Sequence, residues 1–301
     1  RFGITLLGVE GSKGEGLTLG PDTVFVVTGA GGAITSAITA DLATRSKGTF
    51  HLLDLAPLPD ASNPDLARIR TDREGLKKEV TERLRKTQER VTPVMVDREL
   101  GRIERDVATL EAIRGVEKAG GRVHYHACDV TDGAAIDRIV QGIEKVDVLV
   151  HAAGLERSRP VDSKDAKEFD LIFDVKAMGI YNLLRALRDK PLAAMVSFSS
   201  VAGRFGNAGQ VDYSAANDLL CKLTSAMQHL RPGTNAFVAD WTAWGGIGMA
   251  TRGSIPEIMR RAGIDMLDPA EGIPVVGNEL VRGSRGEAVV AGALGYLVTA
   301  K

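Results

Sequence analysis

Thr28-Gly29-Ala30-Gly31-Gly32-Ala33-Ile34 follows a compact β-branched and aromatic run, Thr23–Val27, and opens onto a helical stretch. Glycines at 29, 31 and 32 let the backbone turn sharply and approach a charged ligand. The free N–H groups at the start of the following helix, with its positive dipole end, suit a pyrophosphate. Asp54 closes the next apolar run, 20 residues beyond Ile34. A carboxylate there accepts hydrogen bonds from ribose hydroxyls and repels a 2′-phosphate, although a turn-capping aspartate would look the same. Leu55 stands beside it. Asp129-Val130 and His151-Ala152-Ala153-Gly154 end two later runs with residues that leave room for a ligand across the strand ends. Strand, glycines and helix in this order predict dinucleotide binding, with His151 as a hydrogen-bonding wall rather than a base. His124-x-His126 shares one strand face, but no cysteine or carboxylate cluster in the sequence completes a metal site, so no metal is expected.

These residues need a scaffold that brings strand ends together. Apolar runs at Thr23–Val27, Thr49–Leu53, Val123–His126, Val146–Val150, Met195–Phe198, Ala236–Val238 and Ala288–Ala291 read as strands, and helical stretches such as 34–43 separate most of them. Strand and helix alternating in this way predict an α/β, doubly wound (Rossmann) parallel sheet. Residues 1–20 are glycine-rich and read as a linker with a short strand candidate, Ile4–Leu7. From Asp65 to Lys118 the rhythm breaks into a charged stretch with two apolar stripes, Leu76, Val80, Leu84, Val91 and then Leu100, Ile103, Val107, Leu110, Ile113. Their spacing predicts two long amphipathic helices stopped between by Thr92-Pro93. A doubly wound unit needs one crossover helix here, so residues 57–97 are read as a helical insertion within a domain spanning 21–301. Its stripe is expected to be covered by the partner helix or catalytic core, or by a second copy or a neighbouring domain in self-association.

Composition narrows the classes further. With 38 basic and 39 acidic residues among 301, the net charge of −1 offers no global field for nucleic acid or an anionic membrane. No apolar run approaches the ~18 residues of a membrane span. Two cysteines, Cys128 and Cys221, build no disulfide framework and fit a reduced, cytoplasmic setting. The chain starts at Arg1 and reads as a piece of something longer, or a processed chain.

Ser199-Ser200-Val201-Ala202-Gly203, then Gly209-Gln210-Val211-Asp212-Tyr213-Ser214-Ala215-Ala216-Asn217, resembles the short-chain dehydrogenase/reductase superfamily. Ser200 stands thirteen residues before Tyr213 and takes the carbonyl-polarising role that the resemblance implies. Most of that superfamily has lysine four residues after the tyrosine; here Asn217 stands there. That exchange resembles the ketoreductase domains of type I polyketide and fatty-acid synthases, in which the lysine sits on the preceding helix. Lys176 in Phe173-Asp174-Val175-Lys176 matches that position. Trp241-Thr242-Ala243-Trp244-Gly245-Gly246-Ile247-Gly248-Met249 resembles the tryptophan–glycine–methionine segment of the same domains. Polyunsaturated-fatty-acid-type synthases also carry a charged insertion after the second strand.

The resemblance implies catalytic Lys176, Ser200, Tyr213 and Asn217, with Lys176, Tyr213 and Trp241 also against the cofactor. It implies NADPH-dependent reduction of a β-ketoacyl thioester held by an acyl carrier protein amid neighbouring synthase domains. Asp54 stands where serine and arginine usually hold the 2′-phosphate, which admits NADH; Arg68 or Arg70 of the insertion could offset it. Thr35 replaces the loop's third glycine. The run Gly206–Gln210 is closer to fatty-acid-synthesis ketoreductases and favours a (3R)-hydroxy product. Two other classes stay open: a free-standing NADH-dependent alcohol dehydrogenase and a non-catalytic scaffold domain. The physics agrees with the assignment. A phenol with an ordinary pKa near 10 is a reluctant proton partner, an adjacent ammonium stabilises its phenolate, and a serine hydroxyl stabilises charge growing on a carbonyl oxygen.

Overall fold

The computed structural model describes residues 15–248 and 255–295. All seven strands foreseen form, and every pairing between them is parallel. In chain order the elements are β1 (Val24–Thr28), α1 (Ala33–Ser46), β2 (Thr49–Asp54), α2 (Asp65–Thr71), α3 (Arg73–Arg85), α4 (Pro93–Lys118), β3 (Arg122–Ala127), α5 (Gly133–Gln141), β4 (Val148–His151), α6 (Ala166–Ala186), β5 (Ala194–Ser200), α7 (Val201–Phe205), α8 (Val211–Leu230), β6 (Asn235–Trp241), α9 (Ile255–Arg261), α10 (Pro269–Arg282) and β7 (Gly286–Val290). The sheet order is β3-β2-β1-β4-β5-β6-β7. Strand order reverses between β1 and β4, and ligands of doubly wound sheets bind at the carboxyl edge of that reversal.

Buried apolar runs fill both faces because the two-residue strand period sends alternate side chains to opposite layers. Phe25, Val27, Phe50 and Leu52 meet Ile38 and Leu42 of α1, Val116 of α4 and Val276 of α10. Val26, Leu53, Leu149 and Met195 meet Ile136 of α5, Ile180 of α6 and Leu220 of α8. The described part of the amino-terminal segment is docked: Leu17 N–H donates to the Leu280 carbonyl at 3.0 Å, and Leu17 and Leu19 pack on the first core. The strand candidate Ile4–Leu7 lies outside the described residues.

The charged stretch departs from expectation. Its first helix is broken at Asp72, whose backbone (φ −147°, ψ 62°) leaves the helical region while its carboxylate caps α3 through Gly75 N–H. The second is one 26-residue helix, with Pro93 in its first turn and Thr92 as the cap. Leu76 and Val80 are buried in a satellite core with Ile69, Val96, Leu100 and Ile103, with Leu84 and Val91 packed at its edge. Of the coverings expected for this stripe, the described residues show the intramolecular one: α2, α3 and α4 bury it among themselves.

Candidate active site

The carboxyl ends of β1, β2, β4, β5 and β6 surround a cavity of about 760 Å³. At its cofactor end Gly29 has φ +65°, and a Cβ there would lie 2.8 Å from the Ala153 Cα, so only glycine fits. No side chain caps the amino terminus of α1 at Gly32, and no acidic residue sits in its first turn. That leaves a dipole end and N–H groups free of any side-chain cap facing the cavity, as an anionic group requires. Ala33, Ile34, Asp54, Leu55, Asp129, Val130, Ala152 and Gly154 all line it.

Several of these residues also have structural work. Asp54 Oδ2 accepts from Gly31 N–H at 2.8 Å, tying the end of β2 to the glycine loop, so that it is both a loop brace and a wall of the cavity. Asp129 Oδ1 accepts from the Thr131 N–H and hydroxyl, closing a turn. Thr28 is buried beneath the floor: its hydroxyl lies 2.9 Å from His151 Nδ1 and accepts from Ala152 and Ala153 N–H, both at 3.2 Å. His151 Nε2 faces the Lys176 carbonyl at 3.1 Å. A carbonyl can only accept, so Nε2 carries the proton and Nδ1 accepts from Thr28. Complete burial, then the Lys176 charge, push His151 down to about 3. It is thus a neutral strut between β1, β4 and α6, buried behind the cavity rather than forming the wall expected.

The four candidate catalytic residues converge from α6, β5 and α8. Ser200 ends β5 and caps α7 through Ala202 N–H (3.2 Å). Tyr213, in the first turn of α8, is half-buried on the cavity. Burial pushes its phenol above the ordinary value, while hydrogen bonding with Ser200 and Asn217 acts the other way and Glu156 adds to the rise. Lys176 Nζ donates to the Phe198 carbonyl at 2.7 Å and lies 5.9 Å from the Tyr213 ring centre. It is 4 % exposed, and desolvation lowers it to about 8. Its Cε lies 2.8 Å from where a Cβ on residue 154 would sit, so Gly154 makes the room for this lysine. Asn217 Nδ2 donates to the Tyr213 carbonyl at 2.7 Å, one turn up the helix, and Asn217 Oδ1 is buried with no hydrogen-bond partner among the described residues. Trp241 lines the cavity edge-on to Phe198 (5.5 Å, 68°).

Sequence reasoning passed over several site residues. Gln210 Nε2 donates to Glu156 Oε1 at 2.9 Å and to Ser158 Oγ at 3.2 Å, stitching two mouth loops 54 positions apart. Lys164 and Asp212 form a buried pair at 2.6 Å (3 % and 1 % exposed side chains), and Asp212 Oδ1 accepts from Tyr213 N–H at 2.8 Å. The pair anchors the turn bearing Tyr213. An aspartate in the first turn of α8, just before the tyrosine, was the available signal; its lysine, 48 residues away, had none. The arginines expected to offset Asp54 are engaged elsewhere: Arg68 with Glu79 and Asp72, and Arg70 with Glu111. Lys176 is the basic residue among the described residues lining the cavity.

The KR domain model matches residues 23–246. The chain belongs to the KR domain family. Its members are NAD(P)H-dependent ketoreductases of the short-chain dehydrogenase/reductase fold. The KR domain is 29% identical over 212 residues to a polyunsaturated fatty acid synthase polypeptide of a Thraustochytrium species (67% of this chain, 8% of that protein). It is 33% identical over 177 residues to the polyketide synthase GfsA of Streptomyces halstedii (57% of this chain, 2% of that protein). The chain therefore spans a small part of these relatives. In fold it is similar to a ketoreductase domain from the bacillaene assembly line, with TM-score 0.70 and 19% identity over 94% of this chain and 59% of that one. An A-type ketoreductase from a modular polyketide synthase gives 0.69 and 22% over 94% and 50%.

Proposed function

We propose that this KR domain reduces the β-keto group of an acyl thioester, presented by an acyl carrier protein within a larger synthase, to the hydroxyl, with (3R) configuration. The reading rests above all on the convergence of Lys176, Ser200 and Tyr213 on the cavity whose other end is the uncapped, glycine-lined start of α1. A nicotinamide cofactor, once bound, supplies the hydride. Gly29, Gly32, Ala33 and Ile34 would hold its pyrophosphate, and Asp54 its adenosine ribose.

The chain's own residues handle the proton. The Ser200 hydroxyl donates to the ketone oxygen and stabilises the charge that grows there. Tyr213, held as a neutral phenol by burial, has the proton that a reduction must deliver. The phenolate it leaves is stabilised by the Lys176 ammonium, which is charged below about pH 8. Asn217 Oδ1, a buried acceptor one turn away with no hydrogen-bond partner among the described residues, would hold water for resupply. As to cofactor, the family resemblance supports NADPH. Asp54, with no arginine among the described lining residues, supports NADH as an effective alternative donor.

The test is NADH and NADPH oxidation with an acetoacetyl thioester and with trans-1-decalone, in the wild type and Tyr213→Phe. Turnover of the thioester, lost by at least about a thousandfold in Tyr213→Phe with cofactor binding retained, is the expected result. Oxidation of small alcohols with no thioester turnover would select the dehydrogenase reading. Tyr213→Phe activity above about a tenth would overturn the role given to the phenol.

A further inference from the structure

Behind the catalytic wall, away from the cavity, Cys221 of α8, Asp240 of β6 and Glu287 of β7 come together. Their sulfur and carboxylate oxygens all lie within 4.8 Å of one another. Asp240 is fully buried, and its Oδ2 has no hydrogen-bond partner among the described residues. The groups acting on it are Glu287, Ser199 and Cys221, none of them a cation. Arg204 reaches Glu287 on the rim at 3.6 Å. A carboxylate buried against a second carboxylate and a thiol, with one oxygen unsatisfied, is costly unless a proton or a metal ion neutralises it.

The spacing also fits an ion. Sulfur and oxygen ligands at about 2.3 and 2.0–2.2 Å from a tetrahedral zinc stand roughly 3.5 Å apart. Cys221 Sγ lies 3.4 Å from Asp240 Oδ1. We infer that Cys221, Asp240 and Glu287 form a binding site for a divalent ion of the zinc class, with the Ser199 hydroxyl or a water as the fourth ligand. One thiolate with two carboxylates favours such borderline ions over magnesium or calcium, which prefer oxygen alone. Binding breaks the Cys221 S–H bond and forms a metal–sulfur bond. The thiol proton leaves for solvent, as does any proton held between the two carboxylates, and no electrons move. Cys221 Sγ and Ser199 Oγ also contact the Asn217 carbonyl, at 3.3 and 3.2 Å, so the ion would clamp β6 and β7 to the helix that carries Tyr213.

Cobalt(II) added to the desalted full chain is the probe. A near-ultraviolet thiolate-to-cobalt band with visible tetrahedral bands is expected, both abolished by Zn²⁺ and both absent in Cys221→Ser. Glu287→Gln, a rim change that leaves the core intact, should weaken cobalt binding by at least about tenfold, and Zn²⁺ should raise Tm in the wild type but not in Cys221→Ser. No thiolate band at millimolar cobalt, or one that survives Cys221→Ser, overturns the site. So does cobalt bound without the band, as the rings of His51, His124 and His126 would hold it. Unchanged affinity in Glu287→Gln removes the third ligand and with it the site as drawn.

Discussion

Replacing Asp54 with asparagine separates its two jobs. The side-chain oxygen that accepts from Gly31 N–H at 2.8 Å survives as an amide oxygen, so the glycine loop keeps its brace. The negative charge is lost. Facing a 2′-phosphate of charge near −1.5 to −2 at roughly 5 Å, in a half-exposed site of effective dielectric constant about 40, that charge opposes NADPH by about 2–3 kcal/mol. Screening at physiological salt reduces this to about 1–2 kcal/mol, or roughly 5- to 30-fold in affinity. NADH, with a ribose hydroxyl in place of the phosphate, escapes this repulsion and loses only part of a hydrogen bond. Asp54→Asn is therefore expected to raise the ratio of kcat/KM with NADPH to kcat/KM with NADH by about 10- to 50-fold, counting both effects. The ratio cancels any general loosening of the loop, which costs both cofactors equally. Steady-state kinetics with both cofactors at one ionic strength, repeated at higher salt, measure it, and the difference between variant and wild type should shrink as salt rises. A change of less than about twofold would show that Asp54 is a loop brace alone and refute the electrostatic reasoning.

Three further outcomes follow from burial. Lys176 titrates at about 8 when folded against its ordinary 10.5, so between those values the unfolded chain binds more protons and stability climbs with pH; below about 8 the full penalty remains. That penalty is about 3 kcal/mol, and Lys176→Met removes it while leaving the Phe198 carbonyl without its donor. The net expectation is a cofactor-free protein stabilised by about 1–2 kcal/mol at pH 7 in urea melts yet at least about a thousandfold less active, and a lower stability would contradict it. Wild-type kcat/KM should fall as pH rises through about 8, where the ammonium is lost. Leu76→Ala opens a cavity in the satellite core of α2, α3 and α4, at a cost of about 2–5 kcal/mol, and should speed proteolysis within 57–92 while sparing ketone reduction.

Much of this protein was written locally in its residues. Seven apolar runs specify seven strands because the inner strands of a parallel sheet, buried on both faces, demand β-branched and aromatic residues, with β3 and β7 as half-exposed edges, and the glycines after β1 mark a loop that a side chain at Gly29 would obstruct. Ser200, Tyr213, Lys176 and Asn217 were legible because their chemistry and spacing follow a family pattern. What was not legible depends on contacts with no local signature. The break at Asp72 hangs on one capping carboxylate within an otherwise continuous helical pattern. Burial of the Leu76–Val80 stripe was open because an amphipathic face states that it needs a partner but not which one. Whether Arg68 and Arg70 would turn toward Asp54 was settled by glutamates on α3 and α4. The Lys164–Asp212 anchor, and the meeting of Cys221 with Asp240 and Glu287, join residues far apart in the chain through the order of the strands and the packing of α8. Sequence determined which groups could do chemistry here; only the tertiary structure decided which of them are neutralised, braced or left facing one another, because that depends on the partners that burial selects.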